Sequence, residues 1–259
     1  MTKTASDSNS AEQHKEYQND LPVIIDGKPY PDIKFNALDI ISKTSFFLGI
    51  LLGYSLGLLP RFKYTNLICY IIFLAIFHFL EFYLTSKFNP GKVNNDSFLL
   101  NNGTGYFYAH SLALAEFILE VWLTPSSWKL ISFSTVNKIV FSLGLILVIF
   151  GQIVRSLALI TCGKSFSHLV KRERLADHEL VTKGIYSYSR HPSYCGFFWF
   201  AIGLEVICFN PISTVAFAIV LWNFFSHRIS YEEKYLLEFF GEDYKLYKQN
   251  VGVGIPFIN

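Results

Sequence analysis

Long apolar stretches dominate this chain and restrict it to folds that a lipid bilayer can accommodate. A membrane-spanning helix needs about 20 mainly apolar residues. Five stretches approach or exceed that length, at residues 44–59, 66–84, 106–123, 136–161 and 196–225. Hydrophobic residues make up 51% of the 259 residues and charged residues only 16%, and the mean hydropathy is +0.33. These features predict an all-α fold, a multi-pass transmembrane helical bundle.

The last apolar stretch predicts two helices rather than one. It is too long for a single span, and Asn210-Pro211 interrupts it. Proline lacks the amide hydrogen that continues a helix, so the helix is expected to break here. We therefore predict a tight helical hairpin with its turn at residues 210–212, which brings the number of spans to six.

The chain divides into three parts by composition. Residues 1–36 are polar and lack the apolar core of a signal peptide, so we expect a cytosolic tail of which about the first 20 residues are disordered. Residues 37–161 carry the first four spans. Residues 162–259 carry the hairpin, a C-terminal helix and most of the polar motifs, and form the candidate cofactor-binding and catalytic module.

Basic residues predict the orientation in the membrane. Loops on one side carry most of them: Lys164, Lys171, Arg172, Arg174, Lys183, Arg190, Arg228, Lys234, Lys245 and Lys248. The opposite loops carry Arg61, Lys63, Lys129 and Lys138. Since loops rich in Lys and Arg stay in the cytosol, both termini and the 162–195 loop are predicted to be cytosolic. The net charge of +2 gives no reason to expect a nucleic-acid partner.

Small residues form a repeated pattern in the first span. Gly49, Gly53 and Gly57 lie four residues apart and therefore share a helix face. Such a face lets a second helix approach closely. It predicts either packing within the molecule or a homodimer.

The four cysteines do not predict a metal site. Cys69, Cys162, Cys195 and Cys208 form no CxxC pair and do not cluster with other ligand types. We expect them to be reduced, buried thiols.

Polar clusters at the hairpin ends carry the candidate chemistry. The hairpin returns the chain to the side it left, so Arg228 and Glu232 are expected near His191 and Tyr194. Pro192 suits the first turn of a helix, whose free amide groups bind anions. Arg228 offers a two-pronged donor for a carboxylate.

Plainer explanations exist for the same residues. Arg228 and Glu232 are spaced i, i+4 and could form a simple ion pair at a helix end. Arg190 could be a membrane-surface anchor. Glu205 could lie near the hairpin tip and reach lipid headgroups.

The polar motifs resemble those of the isoprenylcysteine carboxyl methyltransferase family. The resemblance rests on residues 178–181, 184–186 and 190–196, followed by Arg228 and Glu232. It continues through Glu233, Leu236, Phe240, Gly241, Tyr244 and Tyr247 to the ending at residues 252–258. It covers residues 160–259 strongly and the earlier spans by topology only.

The resemblance implies a reaction and a location. Family members transfer a methyl group from S-adenosylmethionine to the free carboxylate of a prenylated cysteine, which is exposed when a CaaX tail is trimmed. It implies an endoplasmic reticulum membrane enzyme with a cytosolic active site. The implied partners are prenylated CaaX proteins, such as Ras-like GTPases and a lipidated mating pheromone, together with the lipid bilayer.

The resemblance also implies the site residues. Arg228 is expected to bind the substrate carboxylate, and Arg228 and Glu232 are the candidate catalytic residues. The positions expected to hold the cofactor are Lys171, His178, Glu179, Leu180, Val181, Tyr186, His191, Pro192, Ser193, Tyr194 and Glu232. Lys171 departs from the pattern, because animal members carry a glutamine there.

Two other classes of function stay open from the residues alone. A membrane lipid methyltransferase or a sterol reductase shares parts of the C-terminal pattern. A non-enzymatic membrane scaffold or a transporter would also be rich in apolar helices, although no second copy of the broken hairpin marks the inverted repeats of a transporter.

Overall fold

The protein is an all-helical bundle preceded by one short hairpin. The computed structural model describes residues 23–25, 28–30, 38–101, 103–174 and 179–259. The elements are β1 Val23–Ile25, β2 Lys28–Tyr30, α1 Leu38–Leu58, α2 Thr65–Phe88, α3 Thr104–Leu123, α4 Thr135–Cys162, α5 Pro192–Ile207 and α6 Pro211–Asn250. The antiparallel hairpin β1–β2 was not predicted, whereas the expectation for the first 20 residues lies outside the described residues.

Each predicted apolar stretch forms a helix, and the predicted hairpin break is confirmed. α5 ends at Ile207, and α6 begins at Pro211. Helices α1, α2, α4 and α6 are long and apolar enough to cross a membrane, whereas α5 has only 16 residues. α6 continues far beyond the apolar stretch, with a break at Gly241, where φ is +54°.

Contacts between loops show that successive helices from α2 to α6 run in opposite directions. At one end of the bundle, the Lys129 ammonium donates to the Phe209 carbonyl oxygen at 2.6 Å. At the other end, the Asn89 amide donates to the Phe166 carbonyl oxygen at 2.8 Å. The Arg190 backbone N–H donates to the Gly252 carbonyl oxygen at 2.9 Å at this same end. The polar motifs therefore gather at one end of the bundle, as the hairpin predicts.

Helices α4 and α5 pack with their backbones in contact. A Cβ atom on Gly151 would lie 2.4 Å from the Phe200 amide nitrogen, and one on Gly196 would lie 2.6 Å from the Arg155 amide nitrogen. Only glycine permits this approach, which small residues favour in membranes. The contact places the start of α5 beside the end of α4, where the candidate site lies.

The intramembrane acids have partners inside the protein. Glu205 is fully buried, and the Asn210 side-chain amide donates to its Oε2 at 3.0 Å. The prediction that Glu205 reaches lipid headgroups is therefore wrong. Glu116 accepts the backbone N–H groups of Ile212 and Ser213 at 2.8 and 2.7 Å, and so caps the start of α6.

The glycine face of α1 is not packed within the molecule. A Cβ atom on Gly49, Gly53 or Gly57 would meet no described atom within 4 Å. The prediction of intramolecular packing at this face is wrong for the part of the chain that the structure describes. The homodimer stays a prediction.

We predict that Gly151→Ala destabilises the protein, because the added methyl group would push α4 and α5 apart. The expected loss is about 1–3 kcal/mol, typical of an overpacked core. Gly105→Ala, where an added Cβ atom would meet no described atom within 4 Å, is the control and should leave stability unchanged. Thermal unfolding of the purified variants in detergent measures both, and equal unfolding temperatures would contradict the close α4–α5 contact.

Candidate active site

A phenol lies between the two candidate catalytic residues. The Tyr194 hydroxyl donates to Glu232 Oε2 at 2.6 Å and accepts from Arg228 Nε at 2.9 Å. Arg228 also donates to the backbone carbonyl of His168, in the loop that follows α4. Among the described residues, Arg228 and Glu232 form no direct ion pair. The simple i, i+4 pair is therefore not what the structure shows.

A cluster of charged side chains connects the segment that follows α6 to this site. Arg190 Nε donates to Glu233 Oε1 at 2.6 Å, and Lys248 Nζ donates to Glu233 Oε2 at 2.5 Å. Arg190 Nη1 donates to the Val251 carbonyl oxygen at 2.7 Å. The Arg190 side chain is only 3% exposed. Arg190 thus forms buried contacts within the protein, and the interpretation of Arg190 as a membrane-surface anchor is wrong.

A pocket opens between the described parts of the 162–195 loop, the start of α5 and the far part of α6; its lining is mixed but has a larger polar share than the groove below, so it is called the polar pocket. It has a volume of about 670 Å³, counting its open mouth. Acidic, hydroxyl and aromatic groups line it together with aliphatic side chains. Its lining includes Glu179, Leu180, Val181, Tyr186, Arg190, His191, Pro192, Ser193, Tyr194, Glu232, Leu236, Phe240, Tyr244 and Tyr247.

A larger, mainly apolar groove runs between α3 and α6. Its volume is about 1640 Å³, counting its open side. Apolar side chains of α3 and α6 form most of its walls, among them Ala109, Leu112, Phe217, Val220, Leu221 and Phe224. Arg155, His168 and Arg228 also line it. The groove therefore combines a long apolar surface with cationic groups.

The pocket and the groove meet at the first turn of α5. Ser193 and Tyr194 line both cavities. Glu232 lines the polar pocket but not the groove, whereas Arg228 lines the groove but not the pocket. The phenol of Tyr194 therefore joins an anion on the pocket side to a cation on the groove side.

Most of the predicted site residues come together here. Nine of the predicted cofactor positions line the polar pocket: Glu179, Leu180, Val181, Tyr186, His191, Pro192, Ser193, Tyr194 and Glu232. Arg228 lines the adjoining groove. Lys171 lines neither cavity, and His178 lies outside the described residues.

Three neighbours of the site, His168, Arg155 and Glu81, were given no role from the sequence. Burial and the nearby guanidinium groups of Arg155 and Arg228 lower the pKa of His168 to about 4, so its imidazole is neutral at physiological pH. Arg155 contacts Ser193 and is paired with Glu81. The sequence signal that could have identified Arg155 and Glu81 is that each is a charged residue within a mainly apolar span.

The chain matches known proteins over most of its length. Residues 144–238 match the model of the isoprenylcysteine carboxyl methyltransferase (ICMT) family. A protein-S-isoprenylcysteine O-methyltransferase of Saccharomyces cerevisiae is 51% identical over 245 residues, which cover 95% of this chain and 100% of the relative. The human protein of the same name is 39% identical over 213 residues, covering 82% of this chain and 71% of the relative.

A solved structure shares the fold. It is described as the eukaryotic intramembrane Ras methyltransferase ICMT, and it matches with a TM-score of 0.77 and 36% identity over 85% of this chain and 77% of that chain. The fold is thus that of a membrane-embedded methyltransferase. The chain belongs to the isoprenylcysteine carboxyl methyltransferase family.

We predict that Tyr194→Phe impairs methyl transfer while the protein remains folded. Phenylalanine keeps the ring, which stacks on His191 at a centroid distance of 5.6 Å, but removes the hydroxyl between Arg228 and Glu232. Since hydrogen bonds to charged groups are the stronger ones, kcat/KM should fall at least about tenfold. Initial rates measured beside thermal unfolding check this, and an unchanged rate would contradict the bridging role.

Proposed function

We propose that this protein transfers a methyl group from S-adenosylmethionine to the C-terminal carboxylate of an S-prenylated cysteine. One observation carries the proposal: a polar pocket and an apolar groove meet at Tyr194. This arrangement suits one water-soluble and one lipid-soluble reactant. The family membership supports the same pairing.

The chemistry of the polar pocket fits S-adenosylmethionine. Glu232 supplies an anion for the cationic or hydroxyl groups of the cofactor. Arg190 Nη2 is buried without a hydrogen-bond partner among the described residues, which suits a carboxylate ligand. Leu180, Val181 and Leu236 offer apolar surface for an adenine ring. When bound, the cofactor supplies an activated methyl group.

The groove fits a prenylated cysteine. A farnesyl or geranylgeranyl chain is too apolar to remain exposed to water, so entry of the substrate from the lipid between α3 and α6 is favoured. Arg228 lies where the groove meets the pocket, and its guanidinium can hold the substrate carboxylate. Lateral entry also explains why this esterification is performed within a membrane protein.

The protein's own groups need only position the reactants. A C-terminal carboxylate has a pKa of about 3.5, so it is ionised at neutral pH and no general base is required. Arg228 orients the carboxylate, and Tyr194 keeps Arg228 in a fixed relation to Glu232. Alignment and exclusion of water then account for the rate enhancement.

The cellular setting follows from the same proposal. Family membership supports a location in the endoplasmic reticulum membrane. The basic loops favour an orientation with both termini and the polar pocket on the cytosolic side. The substrates would be CaaX-processed proteins, including Ras-like GTPases and a lipidated mating pheromone. A homodimer through Gly49, Gly53 and Gly57 stays a prediction, which disulfide crosslinking of a Gly53→Cys variant tests.

The direct test is methylation of N-acetyl-S-farnesylcysteine by membranes that contain the protein, with labelled S-adenosylmethionine. We expect Glu232→Ala to raise KM for S-adenosylmethionine and Arg228→Ala to raise KM for the prenylcysteine, each with at least about a tenfold loss in kcat/KM. Glu242→Ala, in an exposed ion pair with Lys245, is the control and should keep full activity.

Two results would overturn the proposal. Well-expressed wild-type protein that incorporates no label would contradict the reaction, and full activity of both site variants would contradict the site. Methylation of a lipid amine, or oxidation of NADPH with a sterol substrate, would instead support the related membrane enzymes. An absence of cofactor binding would support a scaffold or transporter.

A further inference from the structure

A buried ion pair connects the second and fourth helices beside the site. Arg155 Nε and Nη2 donate to the two carboxylate oxygens of Glu81 at 2.7 and 2.8 Å. The side chains are 8% and 2% exposed. The Arg155 guanidinium also lies near the rings of Phe77 and Phe197, at 5.9 and 5.8 Å from their centroids. Both charges are therefore held in apolar surroundings.

Stability alone does not account for this pair. Removing two charges from water is costly, and an apolar pair of similar volume is often as stable or more stable. Charged residues within membrane helices usually mark functional positions. The remaining contacts of Arg155 show that the functional position supported by this pair is the first turn of α5.

Arg155 holds the first turn of α5. Its Nη1 donates to Ser193 Oγ at 2.8 Å and to the Ser193 carbonyl oxygen at 3.2 Å. Ser193 lines both the polar pocket and the groove, and Tyr194 follows it directly. One turn further, the backbone of Gly196 abuts the backbone of Arg155. The guanidinium therefore fixes the turn that carries Tyr194.

We infer that Glu81 and Arg155 are positioning residues for methyl transfer. The carboxylate of Glu81 orients Arg155, and Arg155 holds Ser193 so that Tyr194 meets both Arg228 and Glu232. The inference rests on the proposed function. Because a displacement of about 1 Å in a reacting group costs about 100-fold in rate, a loosened α5 turn should impair transfer more than binding.

The first experiment replaces the pair by apolar residues of similar size, Glu81→Leu with Arg155→Met. We expect a double variant that unfolds at or above the wild-type temperature in detergent, since no unpaired charge is left. Its kcat should fall at least about tenfold, with both KM values within about threefold of wild type. A stable double variant with the wild-type kcat would overturn the positioning role.

A second pair of variants covers the case in which the double variant does not accumulate. Arg155→Lys retains the charge opposite Glu81 but removes the fork that reaches Ser193, and Ser193→Ala removes the accepting hydroxyl. Both should lower kcat, and the combined variant should lose no more than the worse single variant, because they break the same contact. Additive losses would overturn the inference.

A second buried pair at the far end of the bundle is the matched control. Lys129 is fully buried, is paired with Glu120 and donates to carbonyl groups in the α5–α6 turn. Lys129→Met should lower the unfolding temperature and leave kcat per folded molecule within about twofold of wild type. Inactive wild-type protein would overturn the proposed function itself, whereas active wild-type and double-variant proteins would overturn only the positioning role.

Discussion

The backbone contact between α4 and α5 is the constraint on which the site depends. Gly151 and Gly196 allow the two helices to approach until side chains no longer separate them. This approach brings Arg155 within hydrogen-bond reach of Ser193 and sets the start of α5 beside the 162–195 loop. The position of Tyr194 follows from that placement.

A membrane enzyme of this kind must bring together reactants that occupy different phases. The structure has a polar pocket and an apolar groove that share a wall of a few residues, and the proposed function assigns one reactant to each. The Tyr194 hydroxyl crosses that wall and contacts one charge on each side. The arrangement suits a reaction that needs alignment rather than acid–base chemistry.

The main outline of the fold was predictable because lipid imposes simple rules. Hydropathy located the helices, and Asn210-Pro211 located the hairpin turn, since proline breaks a helix in any setting. The position of this hairpin turn then predicted that Arg228 and Glu232 lie near the start of α5. The β1–β2 hairpin carried no comparable signal.

Long-range polar pairs were not predictable in the same way. Glu81 and Arg155 are separated by 74 residues, and Arg190 and Glu233 by 43, so only the packing of the helices reveals the partners. For this reason Arg190 resembled a surface anchor. The groove was also hidden, because it arises from the spacing of α3 and α6 and not from a motif.

The most direct test is a structure of the protein with S-adenosylhomocysteine and N-acetyl-S-farnesylcysteine bound together. We expect the nucleoside ligand in the polar pocket beside Glu232, the farnesyl chain between α3 and α6, and the carboxylate within hydrogen-bond distance of Arg228. A farnesyl chain bound elsewhere, such as in the crevice lined by Leu48, Leu74 and Leu114, would contradict it.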